Sequence, residues 1–270
     1  MSGLRIRPHE ADADGTVVDV TPASAGWKHV GFRVVKLVNG QRYSGHETAR
    51  EACLVIVSGS ADVHAGSAHF VHVGNRTTPL EDKAPGAVYV PAGASYTVTA
   101  WGPVELAVCT APGSGEGLPR LIAESSMSRE VRGSGTNTRY VRNILPQTEP
   151  ADSLLVVEVI TPGGHWSSYP PHKHDTAAPD AETALEETYY HRLNPPQGFA
   201  LQRVYTDDRT LDESVAVEDG DVVMVPRGYH PVGAPHGYDL YYLNVMAGPN
   251  RQWIFRNDPA HDWIARRPAG

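Results

Sequence analysis

Apolar and polar positions in this chain alternate in short runs, and the three-to-four spacing of an amphipathic helix is nearly absent. In the first half, residues 53–57 (CLVIV), 67–73 (SAHFVHV), 86–100 (GAVYVPAGASYTVTA) and 104–109 (VELAVC) read as strands. Turn signals separate them at Ser58-Gly59, Gly74-Asn75 and Ala84-Pro85-Gly86. The second half repeats the pattern at 153–160 (SLLVVEVI), 187–192 (ETYYHR), 198–206 (GFALQRVYT), 214–217 (SVAV), 221–225 (DVVMV) and 239–246 (DLYYLNVM). Many short strands at this spacing predict an all-β protein, an antiparallel sandwich or barrel. Residues 111–119 (APGSGEGLP) read as a linker. Residues 129–143 (REVRGSGTNTRYVRN) are polar and flexible-looking, placed to bridge two halves or line a cleft.

A phrase recurs. Gly86-Ala-Val-Tyr-Val-Pro91-Ala-Gly93-Ala-Ser95 and Gly220-Asp-Val-Val-Met-Val-Pro226-Arg-Gly228-Tyr-His230 both run glycine, apolar strand, Pro-x-Gly. Proline ends a strand because it has no donor for the ladder, and the glycine permits a tight turn at a barrel mouth. The repeat predicts two similar antiparallel β-barrels, over residues 1–120 and 121–270.

Composition narrows the function classes. Net charge is −8 with no basic stripe, which argues against nucleic acid as a partner. No apolar run approaches the roughly 20 residues that span a membrane. The opening MSGLRIRPHEADADG lacks the apolar core of a signal peptide, so a cytoplasmic protein is expected. Cys53 and Cys109 both lie in apolar runs and are expected to be buried reduced thiols.

The chain has 13 histidines, which matter chemically only where they cluster. The segment Trp166-Ser-Ser-Tyr-Pro-Pro-His172-Lys-His174-Asp175 holds a His-x-His. On an extended strand, residues two apart share a face, so His172 and His174 project together and Lys173 points away. Glu187 opens the next strand, and His230 follows the Pro226-x-Gly228 turn. Three imidazoles and a carboxylate suit a divalent transition metal with positions open to substrate oxygens. Glu182 and Glu186 are neighbouring carboxylates; the strand-like Thr-Tyr-Tyr that follows favours Glu187. Tyr189 lies two residues beyond Glu187 on the same face. One of Tyr241 and Tyr242 points inward on the last strand, Tyr242 being the candidate, and Arg203 sits mid-strand as a candidate fork for a substrate carboxylate.

The His-x-His, Glu, then Gly, Pro-x-Gly, His order resembles the cupin superfamily. The resemblance implies a bicupin whose first barrel, with Ser95 where a ligand histidine would stand, holds no metal. Longer phrases resemble the 5-deoxy-glucuronate isomerase family of inositol catabolism. They are SSYPPHKHD (167–175), EETYYHRLNPPQGFALQRVYTDD (186–208), LDESVAVEDGDVVMVPRGYHPV (211–232), GYDLYYLNVMAGPNRQW (237–253) and NDPAHDWI (257–264). The related 5-keto-4-deoxyuronate isomerases use a similar His, His, Glu, His site. This resemblance implies aldose–ketose isomerisation of a small sugar acid, one divalent ion with zinc in first place and manganese, iron or nickel as alternatives, and a possible homo-oligomer. The same ligand set also serves cupin dioxygenases, and a non-catalytic sugar-binding cupin is a third class.

Overall fold

The computed structural model describes residues 3–266. Strands dominate, and the chain divides into two compact units. The N-terminal unit comprises Pro8–Ser128 and Asn143–Val156. The C-terminal unit comprises the residues up to Arg7, Arg129–Arg142, and those from Val157 on. The chain therefore passes between units more than once, where the sequence suggests a single cut at 120/121.

In the N-terminal unit the main sheet runs Arg120–Ile122, Gly86–Val90, Arg50–Ala65, Val104–Pro112, Gly31–Leu37, Thr16–Val20. Arg50–Ala65 organises the unit. Its first half pairs with Gly86–Val90 and Val104–Pro112, and its second half with Ala68–Arg76 and Ser95–Ala100. The sequence predicts a turn at Ser58-Gly59, but the strand continues through it. Gly59 adopts φ +93°, and the ladder shifts register between Ile56 and Ser58 and between Gly59 and Ala61. The turn-like dipeptide is a β-bulge that lets one strand serve two pairings. A Cβ at Gly59 would lie 2.3 Å from the carbonyl oxygen of Pro103, so the close approach also requires glycine.

The apolar core gathers Val35, Leu37, Leu54, Ile56, Val63, Val88, Val98 and Leu106 around Tyr43 and Tyr96. Cys53 and Cys109 face each other across the ladder, buried and reduced as expected. Burial pushes the Cys109 thiol well up, leaving it a poor nucleophile. At the start of the long strand, Glu51 is fully buried. It accepts the main-chain N–H groups of Asp152 (2.7 Å), Ser153 (2.6 Å) and Leu154 (2.6 Å), and the Tyr89 hydroxyl (2.7 Å).

Most of a seven-stranded sheet, and the whole of a four-stranded one, belong to the C-terminal unit. The first runs Arg5–Ile6, Val222–Val225, Glu186–Asn194, Asp239–Ala247, Leu155–Thr161, Arg139–Leu145, Arg129–Arg132. The second runs Trp166–Ser167, Val232–Gly233, Ala200–Tyr205, Asp212–Val217. Glu186–Asn194, which covers the predicted strand 187–192, is buried on both faces over most of its length. Two polar segments outside the predicted strands form strand pairs. Arg129–Arg132 pairs antiparallel with Arg139–Leu145, and Asp175–Ala178 pairs with Glu182–Ala184. Polar composition hid both: Arg129–Arg132 and Asp175–Ala178 have no buried residue, and the buried residues of Glu182–Ala184 are the polar Glu182 and Thr183. No helix among the described residues is long and apolar enough to cross a membrane.

Candidate metal centre

Four predicted side chains meet inside the C-terminal unit. His172 belongs to a two-residue strand paired with Arg256–Asn257, and His174 follows one residue on. The extended backbone sends both imidazoles to one side. Lys173 goes to the other, where its ammonium meets Asp175 Oδ1 (2.6 Å) and Glu182 Oε1 (3.2 Å). Glu182 is thus committed to Lys173 and to the N–H groups of Asp175 and Thr176. Among the nearby carboxylates it is Glu187 that reaches the imidazoles. Its Oε2 lies 3.0 Å from His174 Nε2 and 3.2 Å from His230 Nε2. One ligand atom from each of His172, His174 and His230 lies within 4.8 Å of the others. All four side chains are buried.

The proton inventory points to a cation. His230 Nδ1 sits 2.9 Å from the Gly228 carbonyl oxygen, which only a ring N–H can satisfy. His230 Nε2 then presents a lone pair, buried and without a hydrogen-bond partner, toward a carboxylate oxygen. Burial lowers the His230 pKa to about 4, so the ring stays neutral at pH 7. Burial also opposes charge on His174, but the hydrogen bond and charge of Glu187 outweigh it and raise its pKa. One carboxylate oxygen can share a single proton, and two imidazoles face it. A lone pair and an anionic oxygen at this separation repel unless a positive ion lies between them. The donor set, three imidazole nitrogens and one carboxylate, fits a divalent transition metal.

Supporting side chains escape detection in the sequence. Asn244 Nδ2 donates to Glu187 Oε1 at 2.6 Å, fixing the carboxylate from behind. Gln202 Oε1 lies 3.1 Å from His191 Nε2. Ser168 Oγ lies 2.8 Å from the Tyr189 hydroxyl. A lone amide inside an apolar strand, as in LYYLNVM or FALQRV, is the available signal, because a buried amide must find partners.

The predicted tyrosines do line the site. The Tyr189 ring is 5.7 Å from that of His230 and 4.9 Å from that of Tyr242. Burial, then the charge of Glu187, push the Tyr189 phenol well up. Burial raises Tyr242 too, opposed by Ser167, Arg139 and Ser168. Both stay protonated at neutral pH. Arg203 does not join them. Its strand alternates so that Gln202 faces in and Arg203 out, where Nε and Nη2 form a fork on Asp212 (both 2.7 Å). The expectation that Arg203 grips a substrate is corrected by this alternation.

His191 yields a pH prediction. It is fully buried, and burial lowers its pKa from 6.5 to about 3 against the raising effect of Gln202. The unfolded chain therefore binds a proton that the folded one refuses. Stability is unaffected by His191 above pH 6.5 and falls as pH drops from there toward 3. Replacing His191 with Leu is expected to flatten the acid limb of unfolding free energy against pH by about one proton, roughly 1.4 kcal/mol per pH unit. Denaturant melts between pH 6 and 4 measure it, and an unchanged slope rejects it.

Comparison with solved structures places this fold among the bicupins. An oxalate decarboxylase from Lactobacillus farciminis superposes with TM-score 0.68 at 15% identity, covering 99% of this chain and 91% of the other. An IolB-like protein from Salmonella typhimurium matches with TM-score 0.95 at 52% identity, over 97% of this chain and 99% of that one. The KduI/IolB family model matches residues 5–264, and the chain belongs to that family. The 5-deoxy-glucuronate isomerase of Geobacillus thermodenitrificans is 53% identical over 264 residues, 98% of this chain and 96% of the relative.

Proposed function

We propose that this protein is a metal-dependent aldose–ketose isomerase that converts 5-deoxy-D-glucuronate to 5-dehydro-2-deoxy-D-gluconate in the cytoplasm. The observation that carries the reading is the buried, partnerless Nε2 of His230 facing Glu187, in a chain 53% identical over nearly its whole length to a protein of that name. His172, His174, Glu187 and His230 would hold one divalent ion, zinc in first place, with manganese, iron or nickel as alternatives. When bound, that ion supplies a Lewis acid for adjacent carbonyl and hydroxyl oxygens.

The reaction moves a hydrogen from C2 to C1 and a hydroxyl proton from O2 to O1, so no outside redox partner is needed. The protein's own groups hold those protons in place. Tyr189 and Tyr242, both neutral phenols, donate hydrogen bonds to substrate oxygens and stabilise negative charge as it develops. Ser168 fixes the Tyr189 hydroxyl. Asn244 keeps Glu187 from rotating. We assign no metal to the N-terminal barrel, where Ser95 stands in place of a histidine.

The test is to incubate zinc-loaded protein with 5-deoxy-glucuronate in deuterium oxide and follow the C1 and C2 protons by NMR. Loss of the aldehyde resonance with growth of a ketose is expected. No conversion by a folded, metallated sample rejects the proposal.

A further inference from the structure

With Arg203 turned outward, the carboxylate end of a sugar acid has no partner at the site among the residues the sequence singled out. We infer that Arg139 is the residue that grips it, a specificity determinant resting on the proposal that the substrate is a sugar acid. Arg139 begins the strand Arg139–Leu145 and is half-buried. Its Nη1 donates to the main-chain carbonyls of Tyr169 (3.1 Å) and Asn137 (3.2 Å). Those bonds hold the guanidinium in one orientation.

The other edge of the fork, Nε and Nη2, bonds no atom among the described residues, and neither nitrogen is among the buried polar atoms sealed from solvent. No carboxylate pairs with Arg139 among the described residues. Arg33, Arg132, Arg192 and Arg203 each have an acid. The unspent edge is the one that Arg203 presents to Asp212 through two parallel bonds. That geometry matches a carboxylate.

Position supports the assignment. The Tyr169 carbonyl that anchors Arg139 is next to Ser168, whose hydroxyl touches Tyr189. The charge of Arg139 is felt at Tyr242, Tyr189 and His172. The turn before it leaves space for the head group. Gly133 has φ +74°, and a Cβ there would lie 2.7 Å from Arg139 Nη1 and 2.1 Å from the Asn137 oxygen. A guanidinium held in place along one edge, with its other edge open and facing no acid among the described residues, suits a site completed by an anionic ligand.

The experiment measures binding as well as turnover. Zinc-loaded wild type, Arg139→Gln, Arg139→Lys and Arg203→Ala are titrated calorimetrically with D-glucuronate and with D-glucose, its neutral counterpart. Arg139→Gln is expected to weaken glucuronate binding about 10- to 100-fold and leave glucose binding and zinc content unchanged. Arg139→Lys recovers part of the loss, and Arg203→Ala matches wild type. For 5-deoxy-glucuronate turnover, KM rises while kcat stays within a few fold. The inference is overturned if Arg139→Gln binds glucuronate as wild type does, if it loses both sugars equally, or if wild type shows no preference for the acid. Arg139-dependent glucuronate binding by a protein that isomerises nothing would reject the isomerase proposal and uphold this one.

Discussion

Glu187→Gln is expected to lower metal affinity by at least about 100-fold and to abolish turnover, with the fold intact. The substitution keeps the size and shape of the side chain and removes its charge. Oε2 of Glu187 faces His174 Nε2 and His230 Nε2, while Oε1 accepts from Asn244. A glutamine must direct its carbonyl at Asn244, because the alternative sets two NH2 groups against each other. Its own NH2 then points at the imidazoles and donates into the lone pairs that a metal needs. Both the lost charge and the occupied lone pairs weaken the site, so the effect exceeds the 10- to 100-fold typical of removing a supporting residue. Asn244→Ala provides that comparison: it is expected to fall in the milder range. Competition with a chromogenic chelator measures affinity, and elemental analysis measures stoichiometry. Unchanged zinc binding by Glu187→Gln would show that Glu187 is no ligand.

The same neighbourhood shows how far local pattern reaches. Period-two alternation brings His172 and His174 together and turns Lys173 away, and it needs only the sequence. The same alternation decides Arg203, but only once the inward residue of GFALQRV is known. That residue is Gln202, which pairs with His191. A composition-based reading favours the charged residue for function, whereas burial favours the amide. Ser58-Gly59 shows a second limit. The dipeptide has the composition of a turn, and only pairing on both sides reveals a bulge inside one long strand. Arg139 shows a third. Its segment is polar, and its meaning comes from what it lacks, an acidic partner, which is a property of the folded neighbourhood.

Glu51 lies beyond that reach altogether, and its replacement should have the largest effect on stability. Four donors converge on one buried carboxylate, and three are main-chain N–H groups more than 100 positions away, a separation of 101 to 103 residues. Nothing in the run REACLVIV announces this, because the donors carry no side-chain signature. The carboxylate is the acceptor that lets the segment Asp152–Leu154 dock in the N-terminal unit. Asp152 strengthens the dock by accepting from the Ser114 N–H (2.7 Å) and hydroxyl. Glu51→Gln turns one accepting oxygen into a donor, so at least one N–H or the Tyr89 hydroxyl is left buried and unsatisfied. Charge-assisted bonds are also lost. Together these are expected to cost roughly 3–5 kcal/mol. Tyr89→Phe removes a single donor and is expected to cost about 1–2 kcal/mol. Because a chain of two units need not unfold in one step, the measurement should be local. Hydrogen exchange at the amides of residues 152–154 is expected to accelerate at least 100-fold in Glu51→Gln, with the denaturation midpoint shifted down. Retained protection at those amides would mean that other contacts hold the segment and that Glu51 merely accompanies them.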